Sequence, residues 1–234
     1  MEPSDIYAAS RSRLIALAAD LSPEQLGALL PATPPWVLVD AYRHLTGVCA
    51  DVLDGTMEGA GTPQWTAAQI ARRCDCSLAD VCEEWASRAP ELDARVEQAG
   101  RAMAFVAFDT WTHEQDVRAA AGVGGARDEM ADDLALIALE TFQPRYAKAG
   151  APALLIDIGE RVMLGHVDDV NDVSGDNEPS LTLTTTPYEL LRMIFGRRSR
   201  SQMEAADWTG SNLDRDSAID ALHLFDMPPI DISD

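Results

Sequence analysis

Residues 101–121, RAMAFVAFDTWTHEQDVRAAA, read as one long helix, with Gly100 before them and Gly122-Val123-Gly124-Gly125 after them. Inside the stretch Asp109 and His113 lie one turn apart, so a carboxylate and an imidazole project side by side. Asp116 falls three residues further along the same face. Working outward, the neighbouring segments carry the same helical period. Ile6, Ala9, Leu14, Leu17, Ala18 and Leu21 recur at helical spacing, and Ser22-Pro23-Glu24-Gln25 forms a capping box. A break at Pro31, Pro34 and Pro35 leads into a helix from Trp36 to about Asp54, closed by Gly55. A loop rich in Gly, Thr and Pro is expected over about 55–66. Helical patterning resumes over Ser77 to Gln98 and again over about Asp128 to Lys148, with Gly150 as the stop. Long amphipathic helices joined by short connections predict an antiparallel four-helix-type bundle over residues 1–150.

Past residue 150 the pattern changes. Leu154–Ile158 and Arg161–Val167 read as strands around a turn at Gly159-Glu160, and an acidic, turn-rich loop covers Asp168 to Pro179. Leu181 and Leu183 alternate with Thr182 and Thr184 as in a half-buried strand. Thr186-Pro187-Tyr188-Glu189 opens a helix running to Gly196, and a further short helix is expected over Ser217 to Phe225. The expected class is therefore α+β, with a small α+β domain over 151–234.

The 234 residues carry 18 Lys+Arg against 39 Asp+Glu, a formal net charge of −21. Such a surface repels polyanions and anionic bilayers, which argues against nucleic-acid and membrane partners. No secretory signal pattern is read at the N-terminus, and no run approaches the roughly 18–20 apolar residues of a membrane span. The four cysteines (Cys49, Cys74, Cys76, Cys82) are unevenly placed for a disulfide scaffold. The expectation is a cytoplasmic protein, monomer or homodimer, acting on small molecules.

Trp36, Asp40 and His44 follow one another at i, i+4, i+8. If their helix packs against that of Asp109 and His113, then His44, Asp109 and His113 meet as a two-histidine, one-carboxylate set suited to zinc or ferrous iron. The Asp-x3-His spacing also suits a solvated helix face. Two motifs bear on the choice. Trp36-Val37-Leu38-Val39-Asp40-Ala41-Tyr42-Arg43-His44-Leu45 resembles the W-x3-D-x3-H-L signature of the mycothiol-dependent maleylpyruvate isomerase-like family, within the DinB/YfiT-like superfamily. Asp109 to Arg118 resembles that family's second run, D-x-W-x-H-E-x-D-[IV]-R.

The resemblance covers essentially the whole chain. It implies a DinB-like metal-binding bundle followed by the family's small α+β domain, with His44, Asp109 and His113 as ligands of a divalent metal, zinc by that likeness. It further implies mycothiol as a low-molecular-weight thiol co-substrate and a small electrophile as the second partner. The outcome would be S-transfer or thiol-assisted cis–trans isomerisation. In the characterised type the carboxylate ligand is a glutamate; Asp109 is one methylene shorter and must approach more closely or bind differently.

Asp116 and Glu114 are candidates for partner of His113 or proton acceptor, with a solvated face as the other reading. Arg197, Arg198 and Arg200 form a candidate anion site for a substrate or cofactor carboxylate, or else pair with nearby acids. An arginine of the second domain matters in the isomerase type, which the resemblance carries over to these three as a group; Arg197 is taken as the catalytic candidate among them. Trp111, like Trp36, either walls the cofactor pocket or belongs to the core. Cys74, Cys76 and Cys82 read as reduced thiols, with a structural zinc site or redox sensing as alternatives. His166 and His223 read as ordinary histidines. Two other function classes stay open: a non-catalytic DinB-like binding protein, and a cysteine-based redox or stress accessory.

Overall fold

The computed structural model describes residues 1–165 and 181–234. The expected strand end at Val167, the acidic loop Asp168 to Pro179 and His166 lie outside the described residues. The chain is α+β and divides into two compact units, Met1–Ala126 (with the terminal Asp234) and Arg127–Ser233.

In the first unit, α1 (Pro3–Ala18), α3 (Leu38–Asp54), α5 (Leu78–Ala99) and α6 (Ala104–Ala120) form a four-helix bundle. α1 and α3 each pack against both α5 and α6. Local chemistry sets the ends of these helices. Asp40 Oδ2 accepts from Val37 N at 3.1 Å where α3 begins, and Ser77 Oγ accepts from Asp80 N at 3.2 Å where α5 begins. Gly55 closes α3 in the left-handed region (φ 72°), which a side chain would resist. The Ser22 box forms with both arms but supports only the single turn α2 (Pro23–Leu26).

The bundle interior is apolar and sequestered. Trp85 and Trp111 are fully buried, and Trp85 Nε1 donates to Tyr7 Oη at 2.9 Å. The scarce cations tie helices together. Arg11 forks onto Asp93 (2.6 and 2.9 Å), joining α1 to α5, and Arg13 forks onto Glu114 (2.6 and 2.8 Å), joining α1 to α6.

One element departs from the sequence expectation. Part of the stretch read as loop is helical, since α4 spans Pro63–Ala71 and packs on α3. Its single fully buried side chain is the polar Gln69, so no apolar stripe announces the helix. The readable signal was the start, where Thr62 Oγ1 accepts from Trp65 N at 3.3 Å and Pro63 follows.

The second unit begins with α7 (Glu129–Lys148), which packs on α8 (Pro187–Ile194), β2 (Arg161–Leu164) and α10 (Asn212–Leu222). A boundary at 150, expected from the change of pattern there, counts this helix with the bundle; compactness divides the chain at 126/127. The physical reason is that α7 buries Met130, Leu134, Ile137 and Tyr146 within a unit that also holds the sheet. That sheet has the order β2-β1-β3-β4, with β1 (Leu154–Asp157) parallel to β3 (Leu181–Thr184) and the outer pairs antiparallel. β4 (Asp207–Gly210) went unread because its side chains are largely exposed and show no alternation. The short α9 (Arg200–Glu204) lies between α8 and β4.

Candidate metal centre

His44 lies on the second turn of α3, while Asp109 and His113 are one turn apart on α6. Packing of α3 against α6 brings the three together, and each offers one ligand atom within 4.8 Å of the others. Asp109 Oδ2 and Oδ1 stand 3.3 and 3.4 Å from His44 Nε2, and Oδ1 stands 3.7 Å from His113 Nε2. Bonds of about 2.0–2.1 Å in a tetrahedral shell put neighbouring donors roughly 3.3–3.4 Å apart. The carboxylate therefore already sits near the spacing a single ion imposes on its two imidazole neighbours. Two nitrogens and one oxygen form a donor set that suits zinc and other borderline divalent ions. Both histidines are buried, whereas the Asp109 side chain is 29% exposed, so access is on the aspartate side.

Each imidazole is held from behind. His44 Nδ1 lies 2.7 Å from Gln69 Oε1, Gln69 Nε2 donates to Asp51 Oδ2 at 2.8 Å, and Arg72 donates to both Asp51 oxygens at 2.7 and 2.9 Å. His113 Nδ1 faces Asp116 Oδ2 at 3.1 Å. In both rings Nε2 is the nitrogen turned toward Asp109.

Aromatic rings wall the trio. Trp36 stacks on His113 (centroids 5.5 Å apart, planes 24° apart) and tilts against His44 at 5.1 Å. Trp65 meets His44 edge-on at 6.3 Å. Trp36 does so from outside α3: it precedes the helix, beside the Leu29–Val37 bridge. The expectation that α3 itself carries Trp36 is corrected, because Asp40 caps Val37 and starts the helix after it.

The other sequence candidates fall elsewhere. Glu114 is held by Arg13 on the α1 side, and burial pushes its carboxyl above the ordinary value, with Arg13 opposing the shift. Trp111 has no exposed surface and lies among the buried side chains of the bundle. Arg197 and Arg198 belong to the second unit. Arg197 donates to Phe195 O at 2.6 Å, and the Arg198 fork is filled by Glu189 at 2.7 and 3.0 Å. Arg200 pairs with Glu204 and Asp220. Asp51, Gln69 and Trp65 were missed in the sequence. His44, Gly47 and Asp51 share one face of α3 at i, i+3, i+7, and that was the available clue.

Two crystal structures match the chain in fold: that of the mycothiol-dependent maleylpyruvate isomerase, and that of the same enzyme with one histidine changed to alanine. Each covers 83% of this chain and 88% of the other, with a TM-score of 0.51 and 10% sequence identity. The chain shares that fold. The match to the maleylpyruvate isomerase is longer than either compact unit, so it takes in parts of both. No family model matches the chain, and no curated protein matches it in sequence. Among the described residues, no helix is long and apolar enough to cross a membrane.

Proposed function

We propose that the chain is a metal-dependent thiol enzyme of the mycothiol-dependent maleylpyruvate isomerase family, with His44, Asp109 and His113 as the protein ligands of zinc. The observation that carries this reading is the convergence of those three side chains from two helices. A divalent cation held there would supply Lewis acidity, which lowers the pKa of a thiol toward neutrality. The protein's own part is to present two imidazoles with Nε2 inward, place the Asp109 carboxylate between them, and screen the site with Trp36 and Trp65.

Asp116 either positions His113 or accepts the proton that the thiol releases. The thiol sulfur then adds to one carbon of a conjugated double bond, whose π electrons pass to the conjugated acceptor; they return with expulsion of the thiolate, or the adjacent carbon takes up the released proton. If the adduct persists, the product is an S-conjugate. If bond rotation precedes expulsion of the thiol, the product is the geometric isomer. Mycothiol is the proposed thiol, and Arg197 the proposed anion-holding group of the second unit.

Elemental analysis of protein purified without chelator tests the reading, with about one zinc per chain expected. Conversion of a small electrophile should then require both metal and mycothiol. A content below a few tenths of an ion per chain would favour the non-catalytic binding protein instead. A fall in free thiols on mild oxidation, with no bound metal, would favour the cysteine-based reading.

A further inference from the structure

We infer that Gln69 is a positioning residue, which holds His44 as its Nδ1–H tautomer and so keeps the Nε2 lone pair directed at Asp109 and His113. The inference rests on the metal-site reading for its purpose, but its evidence is a hydrogen-bond chain independent of any ion. An amide such as Gln69 can turn either its oxygen or its NH2 to a neighbour, and that choice settles the histidine's tautomer. Here the far partner decides. Asp51 is a buried carboxylate that also takes Arg72 and, at 3.0 Å, the Thr56 hydroxyl. Arg72 donates to both of its oxygens and the Thr56 hydroxyl to one of them, so they act as acceptors and Gln69 must offer Nε2–H. The amide oxygen is then the end that faces His44 at 2.7 Å, and Nδ1 must donate to it. A flipped amide would set oxygen against carboxylate in a buried place, leaving both without a proton between them.

Donation therefore runs from His44 Nδ1–H to Gln69 and from Gln69 Nε2–H to Asp51, which accepts from Arg72 on its other side. Gln69 has no exposed surface and neither Gln69 nor Asp51 reaches the reacting side, so this role is orientation rather than catalysis. The seat for Gln69 is Gly47, one turn beyond His44 on α3. A Cβ at that position would lie 2.5 Å from Gln69 Cβ and 2.7 Å from Cγ. The close approach of α4 to α3 at a glycine is what lets the amide reach the ring.

Two-bond 15N–1H spectra of the histidine rings in metal-free protein test the inference without a variant. His44 should show the Nδ1–H pattern, and an Nε2–H pattern would overturn it. In Gln69→Met, which keeps the length and loses both hydrogen bonds, that preference should disappear while helical circular dichroism remains. Zinc affinity, read by competition with a chromophoric chelator, should fall about 10- to 100-fold. Asp51→Asn with Gln69→Glu restores a donor–acceptor pair and should recover most of that loss. Unchanged affinity in folded Gln69→Met would overturn the inference. If the wild-type protein binds no zinc yet shows the Nδ1–H ring, the metal reading fails and the positioning stands.

Discussion

Gly47→Ala sets two physical effects against each other, and the structure decides the sign. In the interior of a 17-residue helix, replacing glycine by alanine ordinarily adds roughly 0.5–1 kcal/mol of stability through backbone entropy. At this site the new methyl would lie 2.5, 2.7 and 3.1 Å from Gln69 Cβ, Cγ and Cδ. Carbon atoms prefer about 3.5–4.0 Å, so the nearest contact is short by about 1 Å. The crowded atoms sit at the root of the Gln69 side chain, so a rotamer change cannot clear them and α4 itself must move. Overpacking of this kind costs about 1–3 kcal/mol. Displacing Gln69 also strains its bonds to His44 and Asp51, each worth about 1 kcal/mol. The expected net change is a loss of about 1–3 kcal/mol in urea unfolding, together with a fall in zinc affinity of about tenfold or more. A variant that gains stability and keeps wild-type zinc affinity would refute both the tight seat and its link to the metal site.

Other consequences are direct. His113→Ala should abolish zinc retention while leaving the helical circular dichroism largely intact; a stoichiometric ion in the purified variant would contradict the ligand assignment. Trp85→Ala removes a fully buried indole and its bond to Tyr7, and should cost about 3–5 kcal/mol in denaturant unfolding without touching His44, Asp109 or His113. Burial pushes the Cys49 and Cys82 thiols up to about 11, whereas Cys74 is exposed and Cys76 partly so. A thiol reagent near pH 8 should therefore modify Cys74 and Cys76 quickly and the other pair only after unfolding. The same shift predicts a loss of stability in alkali. The unfolded thiols ionise from about pH 8.5–9 while the folded ones hold their protons until about 11, so stability falls across that window. Replacing Cys49 with alanine should flatten the decline measured by unfolding at successive pH values.

The acidic composition acquires a structural meaning in the bundle. With 18 cations against 39 anions, every arginine has a choice of partners, yet several are held where they join helices. Arg11 and Arg13 tie α1 to α5 and α6, and Arg72 anchors the chain that ends on His44. The Arg13–Glu114 pair shows why Glu114 was hard to place from the sequence. It sits beside a proposed ligand in the chain, but helical rotation sends it to the α1 side.

The long helices, the hairpin at Gly159 and the α+β class were legible in the order of residues, because helical and strand periods are local properties. Spacing set Asp109 one turn from His113, while His44 as their companion was implied by the family resemblance and depends on α3 packing against α6. Local spacing could not show which apolar face meets which, and that placed α7 with the sheet. Nor could it reveal α4, whose buried face is one amide, or β4, which lies exposed at the sheet edge. The tautomer of His44 depends least on neighbours in sequence. It follows from a glycine on one helix admitting a glutamine from another, whose own direction is set by a carboxylate and a guanidinium. Hydrogen-bond polarity passes between groups that touch only once the helices have packed, which is why tertiary structure alone decides it.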